Sequence, residues 1–269
     1  MRKIALPWFP RLDQPEPRRS FWQTLVSLLA LVLVWEAMRR WSGLPAFILP
    51  PPLQVAGRFW RGLRDGSLLF HAAVTLGEVT AGLLVGVVFA LVCGYGIARL
   101  RWLERLLAPY LVATQAIPIV AIAPLLVIWF GPGVFSKILI CALIVFFPVL
   151  INTVIGIRAV PRPLHELMAS LRATRWQTLR YLEIPAALPV LLGGLRVGAT
   201  LSVIGAVVGE LVGADRGLGF LLNVARGQYD TALVFVTVFT LIALALGLYG
   251  LVVLLERKLL VWQERPDQK

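Results

Sequence analysis

Residues 165–189 read HELMASLRATRWQTLRYLEIPAALP, a basic, amphipathic interruption in a chain that is otherwise apolar around it. Pro161 and Pro163 end the preceding element, because proline pushes the residue before it out of the helical region. Leu164, Leu167, Met168 and Leu171 then recur at i, i+3, i+4 and i+7. That spacing makes one apolar stripe on a short helix, with Glu166 and Ser170 elsewhere around it. Thr174 is placed to cap a second short helix carrying Trp176, Leu179 and Leu182. Pro185 and Pro189 are expected to end that helix before the next apolar run. The segment therefore predicts a helix–turn–helix hairpin over 161–189. It carries too much apolar surface for a solvated loop, and docking into a groove on a partner protein suits it better.

Outside the hairpin, composition decides the class. The 269 residues are 59% hydrophobic, against about 45–50% in soluble domains. Six apolar runs, near 21–38, 73–98, 107–130, 134–156, 190–213 and 232–255, approach or exceed the ~20 residues that cross a bilayer core. The expected fold is all-α: a polytopic membrane protein of six transmembrane helices. With the N-terminus inside, the inner segments hold roughly twice as many Lys and Arg as the outer ones, Lys137 being counted outside. Both termini and the 161–189 hairpin are then cytoplasmic. The net charge of +12 reads as topology and not as a nucleic-acid surface. Residues 1–20, basic and rich in proline, read as a cytoplasmic tail and not as a signal peptide. Residues 21–256 form the transmembrane domain, and 257–269 a second cytoplasmic tail.

The spans carry their own signals. Three prolines at 50–52 precede Val55, Phe59 and Leu63, with Arg58, Arg61 and Arg64 between them; this predicts a short amphipathic helix at the outer surface. Gly82 and Gly86 form a small-xxx-small pair, which serves packing within the chain or contact with another subunit. Pro109, Pro118 and Pro124 interrupt the third span, with Gln115 one turn before Pro118. A broken helix lining a pathway and a kinked packing helix both fit. Glu36, Glu78 and Glu210 are the carboxylates within or at the ends of spans. Glu36 and Glu78 are expected near interfaces, and Glu210 is a candidate pathway residue because intramembrane charge is costly to keep. Cys93 and Cys141 lie in apolar runs and read as packing residues. No phosphate-binding GxxxxGK[ST] loop, GxSxG or HExxH occurs, and His71 and His165 have no ligand-spaced partners. No catalytic residue, metal site or resident cofactor is expected.

The hairpin resembles the cytoplasmic signature loop of binding-protein-dependent ABC importer permeases, whose pattern runs E-A-A, three residues, Gly, then nine residues to Ile, one residue and Leu-Pro. Glu166 stands at the Glu, Leu167 and Met168 at the alanines, and Arg172 where Gly is usual. Ala173, Thr174, Arg175, Trp176 and Gln177 resemble the run that follows, and Ile184-Pro185 with Ala186-Ala187-Leu188-Pro189 the proline-bearing close. Gly194-Leu195-Arg196, ATQAIPIVAIAPLLVIWFG, PAFILPPP and GELVGADRGLGFLL resemble segments of the nitrate, sulfonate, taurine and bicarbonate branch, which also includes pyrimidine-precursor and riboflavin importers. At Arg172, Gly would permit a positive φ that Arg adopts at a cost, so either a differently shaped turn or a specialised partner is expected.

The resemblance implies a type I importer bundle with a cytoplasmic coupling hairpin. Glu166, Met168, Leu171, Arg172, Ala173, Thr174 and Trp176 would dock on cytoplasmic ABC ATPase subunits, which bind the ATP. Further implied are a permease homodimer in the lipid of a prokaryotic inner membrane and an extracytoplasmic solute-binding protein. The candidate pathway residues are Gln115, Pro118 and Glu210. A scaffold without transport would need neither the hairpin nor the kinked, glycine-rich spans. A self-sufficient secondary transporter would favour internal repeats and paired intramembrane ionisable groups, which the sequence does not display. The apolar spans offer an anion no basic cluster, so a neutral heteroaromatic such as riboflavin or a thiamine-precursor pyrimidine fits at least as well as an anion of the nitrate or taurine type.

Overall fold

A computed structural model describes residues 21–116 and 118–261, with the side chain of Gln115 among the few left out within that range. The expected tail 1–20 and the last eight residues of the expected C-terminal tail lie outside the described residues. In chain order the elements are α1 (Phe21–Ser42), α2 (Pro52–Arg64), α3 (Ser67–Arg99), α4 (Arg101–Ala116), α5 (Ile119–Phe130) and α6 (Val134–Arg158). Then come α7 (Arg162–Ser170), α8 (Arg175–Thr178), a π-turn (Leu179–Glu183), α9 (Ile184–Gly213), α10 (Leu218–Gly227) and α11 (Thr231–Leu259). No strand occurs among the described residues.

Four helical runs are long and apolar enough to cross a membrane: Ser67–Arg99, Val134–Arg158, Arg175–Gly213 and Thr231–Leu259. They contain the second, fourth, fifth and sixth expected spans. α1 covers the first, with 22 residues. The third is not one helix. α4 ends at Ala116, and Pro118, extended (φ −67°, ψ 115°), opens the 12-residue α5. Proline has no N–H to continue the α4 ladder, and the two short helices replace one kinked span.

The core is α3, α6 and α9 side by side. α3 and α6 run parallel, so Gly82, Gly86 and Gly94 meet Cys141, Ala142 and Thr153 in order. α9 runs against α6, so Gly194 meets Asn152 while Gly205 meets Cys141. A Cβ at Gly82 would stand 2.2 Å from Cys141 Cβ, and one at Gly205 would stand 2.8 Å from Cys141 Cα. The glycines let both neighbours close on the same buried turn of α6, where packing supplies the association that water would drive elsewhere. The small-xxx-small pair thus serves packing within the chain, and Cys141 is a fully buried packing residue.

The outer layers are held by side-chain chemistry as well as packing. α2 starts at Pro52, as the proline run requires, and buries Val55. Its Arg58 pairs with Asp230 at 2.9 Å, and Asp230 in turn caps α11 by accepting the Leu233 N–H. Between α2 and α3, Asp65 accepts the backbone N–H and the hydroxyl of Ser67 at 2.9 and 2.7 Å, which hold its carboxyl below the ordinary value. Trp35 of α1 stacks on Phe235 of α11 with ring centroids 5.0 Å apart. Glu36 is answered within α1 by Arg39 and Arg40, each at 2.7 Å.

Candidate functional site

The hairpin forms at the end of the bundle where α3 and α6 finish and α9 begins. α7 ends in a Schellman motif: the Ala173 N–H donates to the Met168 carbonyl and the Arg172 N–H to the Ala169 carbonyl, both at 3.0 Å. Arg172 occupies the left-handed position of that motif, at φ 51°. Of the two alternatives the sequence left open, the differently shaped turn does not occur. Arg172 keeps a positive φ, and the two capping bonds hold it there. Thr174 then opens α8 with a full capping box: its hydroxyl accepts the Gln177 N–H at 3.3 Å, and the Gln177 side chain accepts the Thr174 N–H at 2.7 Å.

The second helix does not stop at the prolines. α8, the π-turn and α9 form one continuous run from Arg175 to Gly213, so Pro185 and Pro189 lie inside helix and not at its end. The Ile184 N–H bonds the Leu179 carbonyl five residues back. That widened turn makes room for the Pro185 ring, which has no N–H to offer. The hairpin is therefore a lever attached directly to a core helix.

None of the residues of α7 is buried. Leu167, Leu171 and Trp176 expose 54%, 68% and 65% of their surface, and Glu166, Arg172 and Thr174 are exposed beside the half-buried Met168 and Ala173. The hairpin thus gathers all seven expected docking residues on one projection. The apolar stripe stays uncovered by its own chain, as a docking face requires.

At the root of the hairpin lies a residue the sequence reading passed over. Glu183, the last of the π-turn, is fully buried. It pairs through Oε1 with Arg99, the last residue of α3, and stands 3.7 Å from Nδ1 of His165 on α7. Its Oε2 has no hydrogen-bond partner among the described residues. Nearby, Arg158 at the end of α6 grips Glu104 of α4 with two bonds of 2.6 and 2.7 Å. Both histidines lie on helices, His71 in the first turns of α3 and His165 in α7.

The far end holds a buried polar corner. Glu210 of α9 is 1% exposed. It accepts the Thr75 hydroxyl of α3 at 2.6 Å and the backbone N–H of Gly219 at the start of α10. Thr75 accepts the Leu218 N–H at 2.7 Å, and His71 Nδ1 accepts the Gly217 N–H at 3.0 Å. Gly217 (φ 109°) and Gly219 are required there: a Cβ on either would collide with Glu210. Glu210 is enclosed by its own chain and braces the α9–α10 corner. One turn along α3, Glu78 meets Lys137 of α6 at 2.9 Å, each side chain 3% exposed. This corrects two expectations. Glu78 does not sit at an interface, and Lys137 is not a loop cation; the spans contain a paired acid and base. Pro118 stands exposed at the α4–α5 break, whereas the side chain of Gln115 lies outside the described residues. No cluster of metal-binding side chains occurs among the described residues.

Comparison with known proteins gives the arrangement a context. Residues 82–261 match the model of the binding-protein-dependent transport system inner membrane component family. The chain is 51% identical over 249 residues to the riboflavin transport system permease protein of Chloroflexus aurantiacus, covering 91% of this chain and 93% of that one. It is 35% identical over 237 residues to the formylaminopyrimidine transport permease protein of Halalkalibacterium halodurans, covering 88% and 94%. To the taurine transport system permease protein of Escherichia coli K12 it is 33% identical over 246 residues, covering 88% of each.

Proposed function

The chain belongs to the family of binding-protein-dependent transport system inner membrane components, and from that premise we propose that it carries riboflavin, or a closely similar neutral heteroaromatic, across the membrane. It is a multi-pass transport permease and not an enzyme. Membership implies an ABC ATPase and a solute-binding protein as partners. The observation that supports the docking site is the hairpin itself. A Schellman turn and a capping box present an apolar stripe that its own chain leaves bare, at the root of a core helix.

In this reading Glu166, Met168, Leu171, Arg172, Ala173, Thr174 and Trp176 seat on the ATPase, which binds the ATP while this chain holds no cofactor. Two copies of the chain form the permease. Both termini, with the tails 1–20 and 257–269, lie on the hairpin side, in the cytoplasm, and the binding protein delivers solute to the far end. In this reading Gln115 and Pro118 line the path, since backbone freed by proline at membrane depth is tolerated where it borders a water-filled cavity. Glu210 shapes the path from one layer back, through the corner it holds. The substrate rests on the 51% identity to a riboflavin permease and on spans without a basic cluster for an anion.

Reconstitution in vesicles with the ATPase and binding protein tests the reading. It expects ATP-dependent uptake of labelled riboflavin that excess taurine leaves unchanged. Uptake of taurine without riboflavin would overturn the substrate and restore the anion alternative. ATP-independent uptake driven by an ion gradient would overturn the importer reading in favour of a secondary transporter.

A further inference from the structure

We propose that Glu183 is a positioning residue for energy coupling: its buried carboxylate ties the docking hairpin to α3, so that hairpin, α9 and α3 move as one body. The inference rests on the permease reading above and names the joint through which the hairpin acts on the bundle.

Three elements converge on this carboxylate. Glu183 itself ends the π-turn and precedes α9. Arg99 is the C-terminal residue of α3 and gives it the ion pair. His165 comes from the middle of α7, 3.7 Å away. The hairpin has few other ties, since α7 buries none of its residues. A push on α7 reaches α9 along the continuous helix from Arg175. It has no such covalent route to α3, because α3 and the hairpin are separated in sequence by α4, α5 and α6. The Arg99–Glu183 pair bridges that gap directly.

The chemistry suits a joint better than a surface contact. A fully buried carboxylate must keep its partner, because an unpaired charge there has no water to turn to. With Oε2 unpartnered among the described residues, the charge is held from one side by Arg99, with His165 3.7 Å away. The pair therefore resists separation when the hairpin is displaced. Arg99 is further fixed by its own neighbour: its Nε donates to the Tyr95 hydroxyl at 3.3 Å, and its guanidinium lies 5.7 Å from the Tyr95 ring centre.

The test uses the whole complex of permease, ATPase and binding protein in vesicles. The readout is ATP hydrolysis with and without binding protein at the far face, which reports transmission through the permease and needs no knowledge of the solute. Glu183→Gln and Arg99→Gln are compared with wild type, along with the double variant, which leaves no unpaired buried charge and so spares folding. The expected result is assembled complexes that still hydrolyse ATP but lose stimulation by the binding protein about tenfold, within the range of site-to-site coupling. The double variant should fall no further than either single, because the two residues act through each other. Stimulation at the wild-type level in the double variant would overturn the inference, whether or not the singles assemble. Wild type that binds no ATPase would instead overturn the permease reading on which it rests.

Discussion

At the residue scale, Arg172 shows a backbone requirement met by a residue type other than the glycine that suits it best. The Schellman turn needs a left-handed residue after α7, and Arg172 adopts that conformation at φ 51°. Left-handed backbone costs a non-glycine residue about 1 kcal/mol. Arg172→Gly should therefore slow amide hydrogen exchange over the hairpin slightly, by a net stabilisation of up to about 0.5 kcal/mol after glycine's extra freedom in the unfolded chain. Arg172→Val should speed it, since a β-branched residue is a severe outlier there. The buried ion pair gives a second prediction. Lys137→Met alone leaves Glu78 charged and unpaired, and should cost about 3–5 kcal/mol in thermal unfolding in detergent. Lys137→Met combined with Glu78→Gln should recover most of that loss. Equal losses in the single and double variants would show that the pair contributes through packing alone. This pair was only half legible in the sequence. An acid lay inside the second expected span, but Lys137 was counted with the outer segments, and their meeting depends on the parallel register of α3 and α6, which no local pattern encodes. Glu183 was less legible still, because a single Glu in a polar segment reads as solvated until its burial is seen.

At the element scale, periodicity and capping were readable because both are local. The i, i+3, i+4, i+7 stripe located α7, Thr174 located the start of α8, and the proline run located α2. Thr174→Ala should cost about 1 kcal/mol of hairpin stability, the usual worth of an N-cap, read as faster proteolysis between α7 and α8. What misled was treating Pro185 and Pro189 as stops. Pro118 did break its span, but Pro185 and Pro189 did not, because a π-turn and the packed flank of α9 absorb them. The glycine contacts predict a sharper effect. Gly82→Leu would place side-chain atoms inside Cys141, and separation of α3 from α6 should lower the unfolding temperature markedly. Gly57→Leu on α2, with nothing within 4 Å of the added Cβ, should leave it near wild type. Equal tolerance at the two sites would contradict the packing described for the core.

At the scale of the whole molecule, the apolar runs announced a membrane bundle from length alone, and the likeness of several separated motifs to one family announced its kind. The layering needed the structure: a core of α3, α6 and α9, a braced polar corner at one end and a docking hairpin rooted in α9 at the other. That layout makes the permease a lever between two ends, and the central claim is that the lever's handle is the 161–189 hairpin. The most direct measurement is co-purification of the chain with its ABC ATPase, comparing wild type with Glu166→Ala and with residues 164–183 scrambled. The account predicts stable association of wild type, weakened by Glu166→Ala and abolished by the scramble, with all three chains still inserted in the membrane. Association that survives the scramble would contradict it, since the docking face would then lie elsewhere on the chain.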